Sequence, residues 1–325
     1  MKYILLTLLA ILNTISASSF ASGEAPISIE NEVVTISPDL VSVEYDFKNN
    51  SHTPINKTLK FTLAFNSYDP NSKCPDVPRR ASNFRLTAQR KVIDPTMSIQ
   101  ARLLLKNGSY KDVTSTLHNI GLTDDEILNY RNYEVICEND APVLTGKYKE
   151  NLKFLIENGF AQNEDFHPVW EVSELYSFKQ EFKPGEQVHV VYEYTPTVGD
   201  SNNNLGAGPL VVRGNSLHSA ARDLDKDDVR CVMLGVVPKD ISKAMHDQIP
   251  YTFRSVLHNV TSDAAIYGVV QNFTLRVKKI KQRNSMMAIC FDSNVTNDDE
   301  MNVLSHIKNY LPKKDIITDY LYISN

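Results

Sequence analysis

The sequence predicts a mainly β protein with some α-helix, built from two β-sandwich-like domains, the first of which carries a helical insertion. Two observations favour this fold class. Several long stretches alternate apolar and polar residues with a period of two, and turn-rich breaks separate them, which is typical of strands with one buried face. Between two such stretches, residues 112–162 contain motifs that start and stop helices.

The chain begins with a segment typical of secretory signal peptides. Lys2 provides a positive start, Tyr3 to Leu12 form an apolar run too short for a comfortable membrane span, and small residues follow. We expect cleavage after Ala21, with Gly23 as the alternative position. Residues 1–21 are therefore predicted to be removed, and the mature protein is predicted to be periplasmic or secreted.

The first domain is predicted to cover residues 22–200. It opens with two alternating runs separated by the polar break KNNSHTP, whose apolar positions are Val41, Val43, Tyr45, Phe47, Leu59, Phe61, Leu63 and Phe65. Two such runs around a turn predict an antiparallel hairpin on one face of a sandwich.

The helical insertion is predicted at about residues 112–162. Thr123 and Glu126 have the spacing of a capping box, in which each side chain bonds the other residue's backbone N–H. Tyr148 to Asn158 places leucine and isoleucine on one side of a helix, and Gly159 is its expected stop.

A second hairpin is predicted from Trp170 to Gly199, where apolar residues alternate on both sides of a Pro184-Gly185 turn. Its large aromatic residues are expected to fill the sandwich core. The Asn- and Gly-rich residues 201–208 are predicted to be a linker. Residues 209–325 are then a smaller β-rich domain with a short helix over Asp240–His246.

Much of the mature chain resembles the bacterial domain-of-unknown-function family 4424. The resemblance is carried by IENEVVTISPDLVSVEYDFKNNS at 29–51, DVTSTLHNIG at 112–121, the Trp170–Gly199 stretch, and the closing segments FTLRV, AICF and LPKKDIITDYLYI. In the central stretch the matching positions include Trp170, Phe182, Pro184, Gly185, Tyr194, Pro196 and Gly199. The resemblance implies an exported, β-rich protein with no established activity, and its motifs are strand and turn positions typical of a fold signature.

Four cysteines are an even number, which in an exported chain favours disulfides over metal or thiol chemistry. Three pairings are possible. We favour the two pairs that close each domain on itself, Cys74–Cys137 and Cys231–Cys290.

The charge of the chain argues against nucleic acid as a partner. The formal net charge is −5, and becomes −6 without Lys2. Such a surface does not attract nucleic acid or anionic membrane. No apolar run after the signal segment is long enough to span a bilayer.

No motif for catalysis, metal or cofactor binding stands out. Asp223, Asp225 and Asp227 have the first spacings of a calcium loop, but that loop also needs Gly and Glu at positions held by Asp228 and Leu234. A solvated acidic turn is the preferred interpretation, so no metal or cofactor is predicted. The histidines lack zinc-site spacing, and His189 is expected to be an ordinary strand residue.

These observations predict a non-catalytic binding or envelope-associated module of unknown specific function, whose partner is an envelope protein or polymer. The alternative is a periplasmic hydrolase with a site between the two domains. A distant Ser, His and Asp are brought together only by the fold, so sequence alone leaves this alternative open.

Overall fold

The computed structural model describes residues 26–64, 81–105, 108–128, 135–138, 141–144, 146–161, 169–196, 201–203, 211–213, 216–218, 230–235, 251–260, 267–280, 285–293, 297–298 and 301–323. Most of these residues form β-strands, as predicted. The described part of the predicted insertion contains three helices: α1 (Thr114–Asn119), α2 (Asp124–Leu128) and α3 (Gly146–Glu157). None of these helices is long and apolar enough to cross a membrane.

The largest sheet has eight strands. Their order across the sheet is β19 (Asn297–Asp298), β20 (Asn302–Tyr310), β17 (Val270–Lys278), β1 (Ile27–Ile36), β2 (Val41–Asn49), β11 (Gln187–Thr195), β4 (Ser82–Ala88) and β5 (Lys91–Ile93). The apolar side of this sheet forms one wall of the main core, because β2 and β11 alternate buried and half-buried residues along their lengths.

Two smaller sheets pack against that wall. The four-stranded sheet contains β3 (Ile55–Thr62), β10 (Trp170–Phe182), β6 (Thr96–Leu104) and β7 (Tyr110–Asp112). The five-stranded sheet contains β12 (Ser201–Asn203), β16 (Tyr251–His258), β21 (Ile316–Ile323), β18 (Ser285–Phe291) and β15 (Arg230–Gly235). Two isolated ribbons complete the described strands: β8 (Val135–Glu138) with β9 (Ala141–Leu144), and β13 (Val211–Arg213) with β14 (Ser216–His218).

The described residues have two apolar clusters, and β10 contributes to both. The main cluster contains the inner side chains of the eight-stranded sheet together with Phe61 of β3, Phe178 of β10 and Ile289 of β18. The second cluster lies under the helices and contains Trp170 and Val172. Trp170 is 3% exposed, and its ring stacks on Tyr148 of α3 with 6.3 Å between the ring centroids.

Both predicted hairpins are wrong, although their strands are present. β2 and β11 belong to the eight-stranded sheet, whereas β3 and β10 belong to the four-stranded sheet. Each connection is therefore an arch that crosses from one sheet to the other. Alternation alone could not distinguish the two cases, because a hairpin and an arch bury the same positions and differ only in whether the buried faces share a sheet or oppose each other.

Asn49 joins the two arches. Its amide Nδ2 donates to the carbonyl oxygens of Phe182 and Lys183 at 3.2 and 3.0 Å, and to that of Thr53 at 2.9 Å. Its Oδ1 accepts from the Ser51 backbone N–H at 2.9 Å. The side chain is fully buried. The family-like pattern around Asn49 and Ser51 thus serves to hold the two turns together.

Local helix signals are realised as predicted. The Thr123 N–H donates to Glu126 Oε2 at 2.7 Å, and the Glu126 N–H donates to Thr123 Oγ1 at 3.2 Å, which is the predicted capping box. After α3, Gly159 has φ +73°, and the Phe160 N–H bonds the Leu155 carbonyl at 2.7 Å. Gly159 therefore ends the helix in the left-handed conformation expected of a stop glycine.

The predicted division at residues 201–208 stays a prediction, but the eight-stranded sheet takes strands from both sides of it. β1 pairs in parallel with β17, with Ile29 opposite Val270 and Ile36 opposite Val277. Residues 201–203 form β12 and pair with β16. The predicted helix over Asp240–His246 lies outside the described residues.

Candidate functional site

A β-bulge in β1 changes which side chains face solvent. Against β2 the register shifts between Ile29 and Asn31, so that Glu30 is an extra residue. The buried positions accordingly change from odd-numbered residues before the bulge to even-numbered residues after it. Glu32 turns inward and is 1% exposed, while Asn31 joins Asp46 on the outer face of the sheet.

Three polar side chains form a fixed row on this outer face. His189 of β11 and Asn31 of β1 are both register partners of Asp46 on β2. His189 Nδ1 lies 2.9 Å from Asp46 Oδ1, and Asn31 Nδ2 donates to Asp46 Oδ2 at 2.9 Å. Both carboxylate oxygens of Asp46 therefore have partners. We call these residues the Asn31–Asp46–His189 row.

The row presents one defined hydrogen-bonding group to solvent. A carboxylate at Nδ1 favours the tautomer in which Nδ1 carries the proton, which leaves Nε2 of a neutral imidazole as an acceptor. The His189 side chain is 45% exposed, and its Nε2 makes no hydrogen bond to a residue that the structure describes. The strand register continues the row to Asn272 and Lys308, which are both exposed.

A second polar group is buried where the three sheets meet. The carbonyl oxygen of Leu63 accepts from Ser173 Oγ at 2.6 Å and from Asn259 Nδ2 at 3.4 Å. Tyr194 Oη lies 3.1 Å from His258 Nδ1. Burial lowers the pKa of His258 to about 3, so the ring is neutral in the folded protein at ordinary pH. These contacts link β10, β11 and β16 and are structural in character.

Tyr310 and Asp292 form a further tie at the end of β20. The Tyr310 hydroxyl donates to Asp292 Oδ1, and the Lys313 N–H donates to Asp292 Oδ2 at 2.9 Å. Burial raises the pKa of Tyr310, and the neighbouring Asp292 carboxylate raises it further. The phenol thus stays protonated and anchors the strand end.

The residues singled out from the sequence lie partly outside the described part of the chain and partly in its apolar clusters and turns. Asp223, Asp225, Asp227, Cys74 and Gly199 lie outside the described residues, and no cluster of metal-ligating side chains occurs in the described part of the chain. The aromatic side chains of Phe182 and Tyr194 are buried in the main cluster, and Gly185 has φ +69° in the arch turn next to Pro184. Pro196, directly after β11, is also buried.

Two of the four cysteines stand opposite each other. Cys231 on β15 and Cys290 on β18 are direct partners in an antiparallel pair. Direct antiparallel partners have Cα atoms roughly 4.5–5.5 Å apart, which lies within the range that a disulfide requires. Cys137 lies on β8, whereas Cys74 lies outside the described residues. The pairing of these two cysteines therefore stays a prediction.

Sequence reasoning missed the Asn31–Asp46–His189 row. It treated His189 as an ordinary strand residue, and nothing in the sequence pairs residue 46 with residue 189. One signal was available: Ile27 and Ile29 are odd-numbered, whereas Val34 and Ile36 are even-numbered, although the odd-numbered Val33 is apolar as well. Such a change of phase indicates a bulge, and bulges often re-aim side chains at functional surfaces.

The fold and the row define a mainly β protein with an open polar sheet face. The chain belongs to a family described as a domain of unknown function, DUF4424, whose model matches residues 16–317. No curated protein matches the sequence. Among solved structures it is similar to a candidate nutrient-binding protein from Legionella pneumophila subsp. pneumophila strain Philadelphia 1, with 11% identity and a TM-score of 0.39. The similarity covers 91% of this chain and 67% of that chain.

Proposed function

We propose that this protein is an exported, non-catalytic binding module that associates with an envelope protein or polymer. The observation that carries the proposal is the Asn31–Asp46–His189 row. It holds three hydrogen-bonding side chains in fixed positions on an open sheet face. A sheet face of this kind suits an extended polar ligand, since such a ligand can bond side chains of several strands at once.

The chemistry of the row indicates which ligand groups it would recognise. With the shared proton on Nδ1, Nε2 of His189 accepts a hydrogen bond, so it fits a ligand hydroxyl or N–H. The rest of the row adds amide groups at Asn31 and Asn272 and a positive charge at Lys308. Hydroxyl-rich glycan chains and peptide amides both offer the donor that His189 needs.

The proposal of export rests on the N-terminal segment, and the proposal of a Cys231–Cys290 disulfide rests on the register of β15 and β18. One measurement tests both proposals: the intact mass of the protein recovered after secretion from a bacterial host. Cleavage after Ala21 and two oxidised cysteine pairs are expected. A mass that includes Met1 to Ala21, or four free thiols, would reject the respective proposal.

The binding proposal is tested with this exported protein by co-sedimentation with purified peptidoglycan sacculi and, separately, with envelope membranes. His189→Ala should weaken binding about tenfold, which corresponds to ~1.4 kcal/mol. The matched control is His306→Ala, because His306 lies on the same sheet face and bonds Thr274 Oγ1 at 3.0 Å. Equal binding by wild type and His189→Ala, or no binding to either preparation, would contradict the proposal.

One observation favours the hydrolase as a second candidate. A carboxylate on Nδ1 of a histidine is also the arrangement that orients a general base in hydrolytic triads. Such a site needs a nucleophilic hydroxyl at Nε2, and none of the described residues supplies one. Hydrolysis of simple nitrophenyl esters that disappears in His189→Ala would establish the hydrolase and displace the binding proposal.

A further inference from the structure

We propose that the free edge of β3 binds an extended acidic segment of a partner protein by strand addition. This edge belongs to the four-stranded sheet and is separate from the Asn31–Asp46–His189 row. The two proposals therefore fail or succeed independently.

The direction of the β3 backbone groups follows from its pairing. β3 pairs with β10 in one continuous antiparallel register, from Thr62 opposite Leu175 to Ile55 opposite Phe182. The Lys60 N–H does not bond β10, because it donates to the Tyr267 hydroxyl at 2.8 Å. Since backbone groups alternate in direction along an antiparallel strand, those of Thr58 and Asn56 also point away from β10.

These outward groups are open. Asn56 and Thr58 are exposed, and their outward N–H and C=O groups bond no residue of the described structure. A row of such groups on a strand edge is a template for another strand. An added strand would gain two donors and two acceptors here.

The open edge has a defined length. At one end the Tyr267 hydroxyl occupies both backbone groups of Lys60, donating to its carbonyl at 3.2 Å. At the other end Pro54 has no N–H to offer. The edge therefore accepts a short segment, paired over Asn56 to Thr58, and does not extend into an indefinite sheet.

The charges around the edge select an acidic occupant. Lys60 and Lys179 are exposed, and Lys179 is the register partner of Thr58. The Lys57 side chain lies on the opposite face of the sheet from Lys60, with its Nζ 5.3 Å from the centroid of the Tyr267 ring. Among the described register partners of β3, one side chain is acidic: Glu181, which lies opposite Asn56. Carboxylates at alternate positions of an added strand all lie on one face of the sheet. They would meet Lys60 and Lys179 if they face that side, and Lys57 if they face the other.

The test uses the full mature protein and a short capped peptide with glutamate at alternate positions of a threonine and valine background. Two matched peptides accompany it: one with lysine in place of glutamate, and one with N-methylated amides on its pairing side. We expect saturable binding of the acidic peptide, binding at least about tenfold weaker for the lysine peptide, and loss of binding for the N-methylated peptide. Equal binding of either control peptide, or no binding of the acidic peptide, would overturn the proposal.

Two variants locate the binding on the protein. Thr58→Pro removes the outward N–H, and proline is tolerated at an edge position whose N–H faces solvent. It should weaken binding about tenfold, whereas Thr58→Val keeps the N–H and should bind like wild type. Lys60→Glu should also weaken binding and reduce its dependence on salt. Unchanged melting temperatures show that the variants fold, and unchanged affinity in both Thr58→Pro and Lys60→Glu would place the peptide elsewhere and reject the proposal.

Discussion

Replacing Trp170 with alanine is expected to lower the free energy of unfolding by about 3–5 kcal/mol, because the change removes a large buried ring and leaves a cavity. The ring is 3% exposed and packs against Tyr148 of α3. It belongs to the cluster under the helices and not to the main core between the sheets. The lost stability should therefore first weaken the packing of the three helices against β6 and β10.

Hydrogen exchange combined with urea unfolding checks this expectation. In Trp170→Ala, amides of the three helices should exchange faster at urea concentrations where the eight-stranded sheet is still protected. The matched variant is Phe182→Ala, because Phe182 is fully buried in the main cluster. Its effect should appear in the sheets. Equal loss of protection in helices and sheets for both variants would show that the two clusters unfold as one unit.

The second large effect concerns His258 and acid. The histidine is buried, and burial lowers its pKa to about 3, compared with about 6.5 in an unfolded chain. Between these values the unfolded state binds a proton that the folded state does not. The protein should therefore lose stability as the pH falls below about 6.5, by about 1.4 kcal/mol per pH unit, until the folded-state pKa is reached. The total contribution is roughly 4–5 kcal/mol at pH 3.

His258→Gln isolates this contribution, because glutamine can bond the Tyr194 hydroxyl and does not titrate. The difference in unfolding free energy between wild type and His258→Gln should change with pH between 6.5 and 4 with the slope stated above. Tyr194→Phe is the control, since it removes the hydroxyl but keeps the imidazole, so its slope should follow wild type. A difference that stays constant across this pH range would show that the His258 pKa is not depressed.

The strands were predictable because their signal is local. In β2 the alternation from Val41 to Phe47 appears in the structure as alternating buried and half-buried residues. The capping box at Thr123 and the stop at Gly159 are local for the same reason, since each depends on backbone groups within a few residues.

Sheet membership was not predictable, because it depends on contacts between distant residues. The two segments joined by Pro184 and Gly185 have the same residue pattern whether they form a hairpin or an arch. They form an arch because β11 pairs with β2 and not with β10. The candidate site needed the same information: residue 46 meets residue 189 only after the sheet is assembled. The pairing of β1 with β17 likewise joins residues more than two hundred positions apart.

We propose that the inward-facing residues of the family-like segments build the fold, whereas binding depends on the outward-facing Asn31–Asp46–His189 row of the same segments. Asn49 tests it directly, because it lies in a family-like segment and bonds both arch turns. The decisive measurement is the urea unfolding midpoint and the envelope binding of Asn49→Ala, with the neighbouring Asn50→Ala as control. We predict that Asn49→Ala loses roughly 2–4 kcal/mol of stability, because the carbonyl groups of Phe182, Lys183 and Thr53 lose their donor and the buried amide leaves a gap, while the folded protein binds like wild type. An unchanged midpoint together with lost binding would contradict the claim.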